Sequence, residues 1–433
     1  MRRRSFLFGA ACAAWNCALP GRAAPEQLGT IAYIERDGLW IRALPNGRPY
    51  RLAAGASFDS PRFSPSGKWV ACYRAGVLHV VSIDGGPNAN LGKPDRGGVV
   101  PGCQWSPARD ELLVGSPAGL NVFTADSGWR GAARKIAGAS LPVVFSPDGK
   151  EIVYGDAFVN GRGPGGEPMR TGRLCRLALE TPDSGPKVLG SEYLSGKIPC
   201  AWSRNGEYIV FWDDPDFSAS LMADGLELFR IPAAGGPAQS LGISTFVRND
   251  MLSFSPAQDK LAVSTGGGRN EWEEKRIAVV DLVTATSSYL TPNGMAAVSP
   301  AWSPTGTAVA YSAAPGPNAG SPVGGGEPAR RLLARRRIWV ADVKGANAPR
   351  PLTGDSRYRD EEPLWSADGQ HILFCRMAHD NSKTLWLIGA EGTDAVQLAG
   401  PLYIDPGLLG VEDSWFGYYG YISWRDAFDT RLR

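Results

Sequence analysis

Histidine is almost missing from this chain: there are three in 433 residues, His79, His371 and His379. His79 and His371 sit in apolar alternating runs that read as strands, so a Ser–His–Asp triad or a His-rich metal site lacks parts. No Cys-x-x-Cys occurs, which excludes a zinc ribbon and a thioredoxin-type redox pair. No Gly-x-Ser-x-Gly nucleophile elbow occurs either. Gly161–Gly166 fits Gly-x-Gly-x-x-Gly in letters, yet it contains Pro164 and opens no helix, so it is no dinucleotide fingerprint. Charge of one sign is also lacking: the net charge is +2, without the electrostatic signature of nucleic-acid binding. Beyond the first two dozen residues no run of 18 apolar residues exists, so no membrane-spanning helix is expected. What the chain has in quantity is turn formers, 54 glycines and 34 prolines, which predict many tight turns and little helix.

Those turn formers are ordered. The phrase aromatic-Ser-Pro-x-Gly followed by alternating apolar residues recurs, with variations, seven times, at Phe63, Trp105, Phe145, Trp202, Phe254, Trp302 and Trp365. The mean period is about 50 residues, which marks a repeat architecture in which each unit buries its faces against its neighbours. In each copy the aromatic residue and Ser end one strand, and Ser-Pro-x-Gly supplies a tight turn. A period-2 run follows, such as Trp69–Tyr73 or Ile209–Trp212. A third strand comes next (Leu78–Ile83, Leu226–Ile231, Arg337–Val343). The fourth is weaker and ends in Leu-Thr in two copies, at Tyr289–Thr291 and Pro351–Thr353. Four antiparallel strands per repeat predict an all-β propeller.

The two ends supply one blade more. Residues 31–52 read as strands two, three and four with no first strand, and Tyr421–Asp426 reads as a first strand with nothing after it. Their pairing makes eight blades and closes the ring, removing exposed sheet edges. Seven blades follow if the terminal match is fortuitous.

At these residues the chain resembles the TolB-like, or PD40, propeller family, whose repeat reads aromatic-Ser-Pro-Asp-Gly-Lys plus a strand. The resemblance covers nearly all of the chain after residue 23, and Phe145–Lys150 carries the full phrase. It implies a propeller of 24–433 as one domain, without the α/β domain that precedes the propeller in TolB, so TolB's role in envelope complexes does not carry over. Some PD40-type propellers are oligogalacturonate lyases with several histidines around a metal, a set this chain cannot supply.

Residues 1–23 read as a targeting segment. Arg2-Arg3-Arg4-Ser5-Phe6-Leu7 resembles the twin-arginine consensus, an apolar stretch follows, and small residues precede a cleavage point after Ala23. An Arg-rich leader of the ordinary secretory route is the alternative. Both predict a periplasmic or secreted protein. Five cysteines remain after the leader, Cys72, Cys103, Cys175, Cys200 and Cys375, all on or beside expected strands. Inert burial is the simpler expectation, and a Cys175–Cys200 bridge between adjacent blades the other.

Candidate site residues gather where the strand-two-to-three loops meet the strand-four-to-one loops. The elaborated two-to-three loops are expected at 155–172, 213–225, 266–275, 312–336 and 377–383. They carry Asp213 and Asp216, Trp272 and Glu273, and His379; the four-to-one loop 357–362 adds Arg359, Asp360, Glu361 and Glu362. Asp213-Asp214-Pro215-Asp216 offers oxygens to Ca²⁺ but lacks EF-hand spacing, so no cofactor is expected. Arg330, Arg331 and Arg335–Arg337 form the densest charge, suited to an anionic partner or to plain solvation. Each carboxylate also has a structural reading, in which it bonds neighbouring amides and ties blades together. Two functions follow: a non-catalytic, monomeric scaffold of the envelope binding a protein or glycan, or a carbohydrate-active hydrolase or lyase using mouth carboxylates. An enzyme predicts two carboxylates facing each other across a pocket; a scaffold predicts them satisfied by Arg or backbone amides.

Overall fold

The computed structural model describes residues 28–86, 88–94, 102–162, 168–193, 195–215, 225–316, 326–345, 347–404 and 420–432. The leader and Asp216 lie outside these residues. The strands form eight four-stranded antiparallel sheets. Counting along the chain, blade 1 spans Phe58–Gly92, blade 2 Cys103–Ala137, blade 3 Val143–Tyr193 and blade 4 Ser195–Phe246. Blade 5 spans Leu252–Tyr289, blade 6 Met295–Pro351 and blade 7 Tyr358–Ala399. Blade 8 joins the ends: Phe428–Leu432 is its first strand, and Gly29–Glu35, Gly38–Leu44 and Tyr50–Ala54 complete it.

The repeated phrase builds the first hairpin of each blade. In five copies the Gly N–H returns to the Ser carbonyl, as in Gly67 to Ser64 (2.9 Å) and Gly149 to Ser146 (2.9 Å). Those glycines sit at φ 69–77°, the left-handed region that a side chain disfavours. The serines are buried, and four of their hydroxyls accept from the strand after the turn, as in Glu151 N–H to Ser146 (3.0 Å) and His371 N–H to Ser366 (3.0 Å). Leu-Thr is a second device. In blades 5 and 6 the threonine hydroxyl takes the N–H that the fourth strand leaves unpaired, Ile277 to Thr291 and Ile338 to Thr353, both 3.0 Å.

Apolar clusters run from blade to blade around the ring, each joining one blade's face to the next. Blades 3 and 4 approach through glycine. A Cβ on Gly155 would stand 1.8 Å from the Lys197 carbonyl oxygen, and one on Gly172 1.9 Å from that of Ser195.

Two expectations need correction. The inner strand of blade 8 is Phe428–Leu432 and not 421–426, because Phe428 fills the buried position opposite Tyr33. Residues 421–426 instead turn through a 3-10 segment, Trp424–Asp426, above that strand. The loop expected at 155–172 is largely a hairpin: strands Glu151–Arg162 and Pro168–Ala178 extend through it. All five described cysteines are free, and Cys200 donates its thiol to the Val210 carbonyl, so no Cys175–Cys200 bridge forms. No helix of the described residues is long and apolar enough to cross a membrane.

Candidate functional site

In a meander of four strands, the two-to-three turns and the four-to-one crossings share one end of the blade. At that end, over blades 5 to 8, charged side chains are drawn inward. Residues 357–362 are expected as a loop; the structure continues the first strand of blade 7 back to Tyr358, so Arg359, Asp360, Glu361 and Glu362 lie on that strand. They are 0, 0, 4 and 9% exposed, and so do not present charge to solvent.

Each of the first three has protein partners. Asp360 stands opposite Arg376 in the register of the first and second strands, and Arg376 grips it with two bonds, Nε to Oδ1 (2.7 Å) and Nη2 to Oδ2 (3.0 Å). The Arg376 guanidinium also lies over the rings of Tyr358 and Trp386, 4.6 Å from each centroid. Glu361 accepts from Arg336, from Arg359 Nε (2.7 Å) and, through Oε2, from the Trp424 indole N–H (2.8 Å). Burial pushes the Glu361 carboxyl up, and Arg359 and Arg336 more than offset it, holding it below the ordinary range. Glu271, in the two-to-three loop of blade 5, accepts from Arg248 and from Arg336 (3.1 Å).

Glu362 differs. It has no cationic partner within 4 Å among the described residues. Its backbone is at φ 54° where the ladder slips between Glu361 and Leu364, and its N–H donates to Ser312 Oγ of blade 6 (3.1 Å). Burial first, then the nearby Asp250, push its carboxyl up to about 7, while Arg425 and a bond from Ser299 pull the other way. Asp250 is also raised, by burial, against the pull of Arg248 at 3.4 Å.

The C-terminal segment seals this cluster. Arg359 donates to the Gly420 carbonyl, Arg248 stacks on the Tyr421 ring at 3.8 Å, and Trp424 reaches Glu361. Further round, Ser60 Oγ donates to Asp426 (2.8 Å), Arg62 to the Arg425 carbonyl (2.7 Å), and Phe63 N–H to Asp429 (2.8 Å).

The other expected site residues are not gathered into it. Trp272 is 2% exposed and packs beneath Ala329 and Leu333 of the short helix Glu327–Leu333, so it offers no surface. Glu273 accepts from Asn270 within its own loop. Asp213 belongs to blade 4, where it holds buried Lys197 and accepts from Ser195 Oγ (2.6 Å). Lys197 borders a cavity of about 250 Å³ between blades 3 and 4, walled by Leu174, Phe211, Ile231 and Pro237. His379 is exposed in the turn of the blade 7 hairpin. Among the described residues no group of three or more His, Cys, Asp or Glu is placed to hold a metal ion. Sequence reading missed Arg248, Asp250 and Arg376. The one signal for Arg376 is a cation inside the apolar run Ile372–Met377, set two strand positions from the aromatic Phe374.

The fold defines an eight-bladed β-propeller. No protein-family model and no curated protein sequence matches the chain. Among solved structures, dihydro-heme d1 dehydrogenase NirN superposes with a TM-score of 0.54 at 15% identity, over 88% of this chain and 75% of its own. A protein assigned as a dipeptidyl aminopeptidase IV of Bacteroides ovatus gives 0.52 at 12% identity, over 87% of this chain and 59% of its own. TolB from Acinetobacter baumannii aligns over 86% of this chain and 64% of its own, at 14% identity and a TM-score of 0.36, too low to bear on the chain's affinities. The chain thus spans well under two thirds of the peptidase's length, and these identities establish the shared fold alone.

Proposed function

We propose that this chain is an exported, non-catalytic propeller that binds a protein or glycan partner in the cell envelope, through the loop face around its ion-pair cluster. The observation that carries this reading is the pairing of three of the cluster's carboxylates with arginine. Asp360, Glu361 and Glu271 are each held by arginine, so that they stiffen a platform rather than stand free for acid–base work. The contacts then belong to the exposed side chains at that end: Arg330 and Arg331 on the short helix, Arg335 just after it and Arg357 in the next crossing, with Glu274 of blade 5 and Asp380 of blade 7 on either side. A basic patch bordered by acidic residues suits a protein surface of matching pattern better than a polyanion.

The test is capture from an envelope extract on purified protein, with mass-spectrometric identification, against a variant carrying Arg330→Glu, Arg331→Glu and Arg335→Glu. A partner retained in stoichiometric amount by the wild type and lost by the variant supports the reading. Retention of nothing, or equal retention by both, overturns it.

A carbohydrate-active hydrolase or lyase is the second reading, and one residue favours it. Glu362 keeps its proton near neutral pH beside Asp250, the condition for a general acid. Turnover of any glycan in a panel, abolished by Glu362→Gln, would replace the first reading with this one.

A further inference from the structure

Blades 3 and 4 are joined in two places and stand apart between them. Along the inner strand, the backbone at Ser195 and Lys197 abuts Gly155 and Gly172. At the three-to-four turn of blade 4, Arg176 donates to the Ala233 carbonyl (2.8 Å) and Lys187 to that of Ala234 (2.7 Å). The cavity of about 250 Å³ lies within this frame. Gly190, Gly236 and Ala238 line it with a methyl group at most, so the apolar residues opposite have no side chain to close upon. Joined at both places, the blades keep their spacing and the gap stays open as a slot.

The slot has two unlike ends. Its mouth is the exposed turn Gly236–Ala238, at the end of the blade away from the ion-pair cluster. From there it runs along the apolar faces of Ile231 and Phe211, against Leu174 of blade 3. Lys197, 9% exposed, stands at the other end, level with Asp213 in the ladder. Its ammonium lies 5.6 Å from the Phe211 ring centroid and is held by Asp213 and by Ser195 Oγ (3.1 Å). Phe211 is stacked on Phe229, 5.8 Å between centroids, which fixes the ring that walls the slot.

Charge and shape select the occupant. Lys197 and Asp213 neutralise each other, so a ligand of either sign would leave one charge unmatched in an apolar site. Apolar walls favour a ring, and an ammonium beside the slot favours a ring with a π face. An apolar cavity of about 150 Å³ holds benzene, so this one has room for a substituted or fused ring. We propose that the seam between blades 3 and 4 is a binding site for a small uncharged aromatic compound, of the phenol, aryl alcohol or indole class. Its ring packs among Leu174, Phe211 and Ile231, with its face toward the Lys197 ammonium. The site is separate from the loop face and does not depend on what binds there.

Isothermal titration of benzyl alcohol into the full chain tests this. Binding should be saturable and at least about threefold tighter than that of cyclohexylmethanol, which has a similar shape and no π face. Lys197→Met keeps an apolar side chain of similar length and should remove the preference. Two variants close the slot from different sides: Ala238→Trp at the exposed mouth, and Gly190→Leu, whose Cβ would start 3.1 Å from Ile231 Cδ1. Each should abolish binding, and because Ala238 is exposed its variant serves even where the buried replacements fail to fold. The proposal is overturned by a wild type that shows no saturable binding at millimolar concentration or no preference for the aromatic alcohol. Binding that survives Ala238→Trp, or a preference left unchanged by Lys197→Met, overturns it equally.

Discussion

The indole N–H of Trp424 donates to Oε2 of Glu361 at 2.8 Å, across 63 positions of sequence, with both side chains buried. The bond ties the segment that precedes the ring-closing strand to the first strand of blade 7. Glu361 keeps its two arginines without it, so the loss is confined to one charge-assisted hydrogen bond and some ring packing. Trp424→Phe is expected to lower stability by about 1.5–3 kcal/mol in urea titration. An unchanged midpoint would mean that the segment contributes nothing to closure.

Asp360 and Arg376 should behave as one unit. Removing either strands the other's charge in a site 0 to 7% exposed. Asp360→Asn or Arg376→Met alone should cost about 3–5 kcal/mol. The double replacement Asp360→Leu with Arg376→Met should cost far less than the two singles added, because no orphaned ion remains. Additive losses in a double-mutant cycle would show that the two groups do not act together.

The fold was legible because its signals are local. An aromatic residue and a buried Ser recur at the first turn of seven blades, with a left-handed Gly in five of them, and period-2 runs follow, so blade number and closure can be read from spacing. The cluster was not legible in the same way. Arg359–Glu362 look like a solvated charged run, since four charges in a row usually are, and nothing local reveals that Arg376, Arg336 and Trp424 wait to receive them. Those partners come from a neighbouring strand, a loop of the adjacent blade and the C-terminal segment, and only the closed ring brings them together. Trp272 misleads for the opposite reason: in a polar loop it reads as a contact residue, yet Leu333 of the next blade's helix covers it. The first strand of blade 8 was displaced by a few residues because Tyr421–Trp424 alternate as a strand would, while their rings are used on Arg248 and Glu361 instead.

Glu362 gives a stability slope of known sign. In the unfolded chain its carboxyl loses its proton near 4.5, and in the folded chain near 7. Below 4.5 both states hold the proton and the residue has no effect. Between the two values the unfolded chain alone has lost it, so stability falls as pH rises; above 7 the loss is constant. At 1.36 kcal/mol per unit the full effect is at most about 3 kcal/mol. Glu362→Gln should match wild type near pH 4 and exceed it by up to that amount at pH 8, in chemical denaturation followed across pH. A variant no more stable than wild type at pH 8 would show that the carboxyl is solvated there.

The seam between blades 3 and 4 offers a test of packing that involves no charge. The strand beginning at Ser195 lies so close to blade 3 that carbonyl oxygens occupy the space a methyl group would need at Gly155 and Gly172. Neither glycine has positive φ, so alanine meets no backbone strain there and the whole penalty is steric. Backbone oxygens cannot rotate away as a side chain would, and relief requires blade 4 to move outward. Such a shift would carry Lys197, whose carbonyl is the clashing group at Gly155, together with Phe211 away from Leu174 of blade 3 and alter the cavity they line. Gly155→Ala should therefore cost about 1–3 kcal/mol or more, and Gly172→Ala a similar amount. Because both substitutions force the same movement, the double variant should cost less than the sum of the two. Gly138→Ala is the control: no atom lies within 4 Å of a Cβ there, though its φ of 72° imposes a backbone penalty of about 1 kcal/mol. If Gly155→Ala costs no more than that control, the two blades are not in the close contact on which the seam depends.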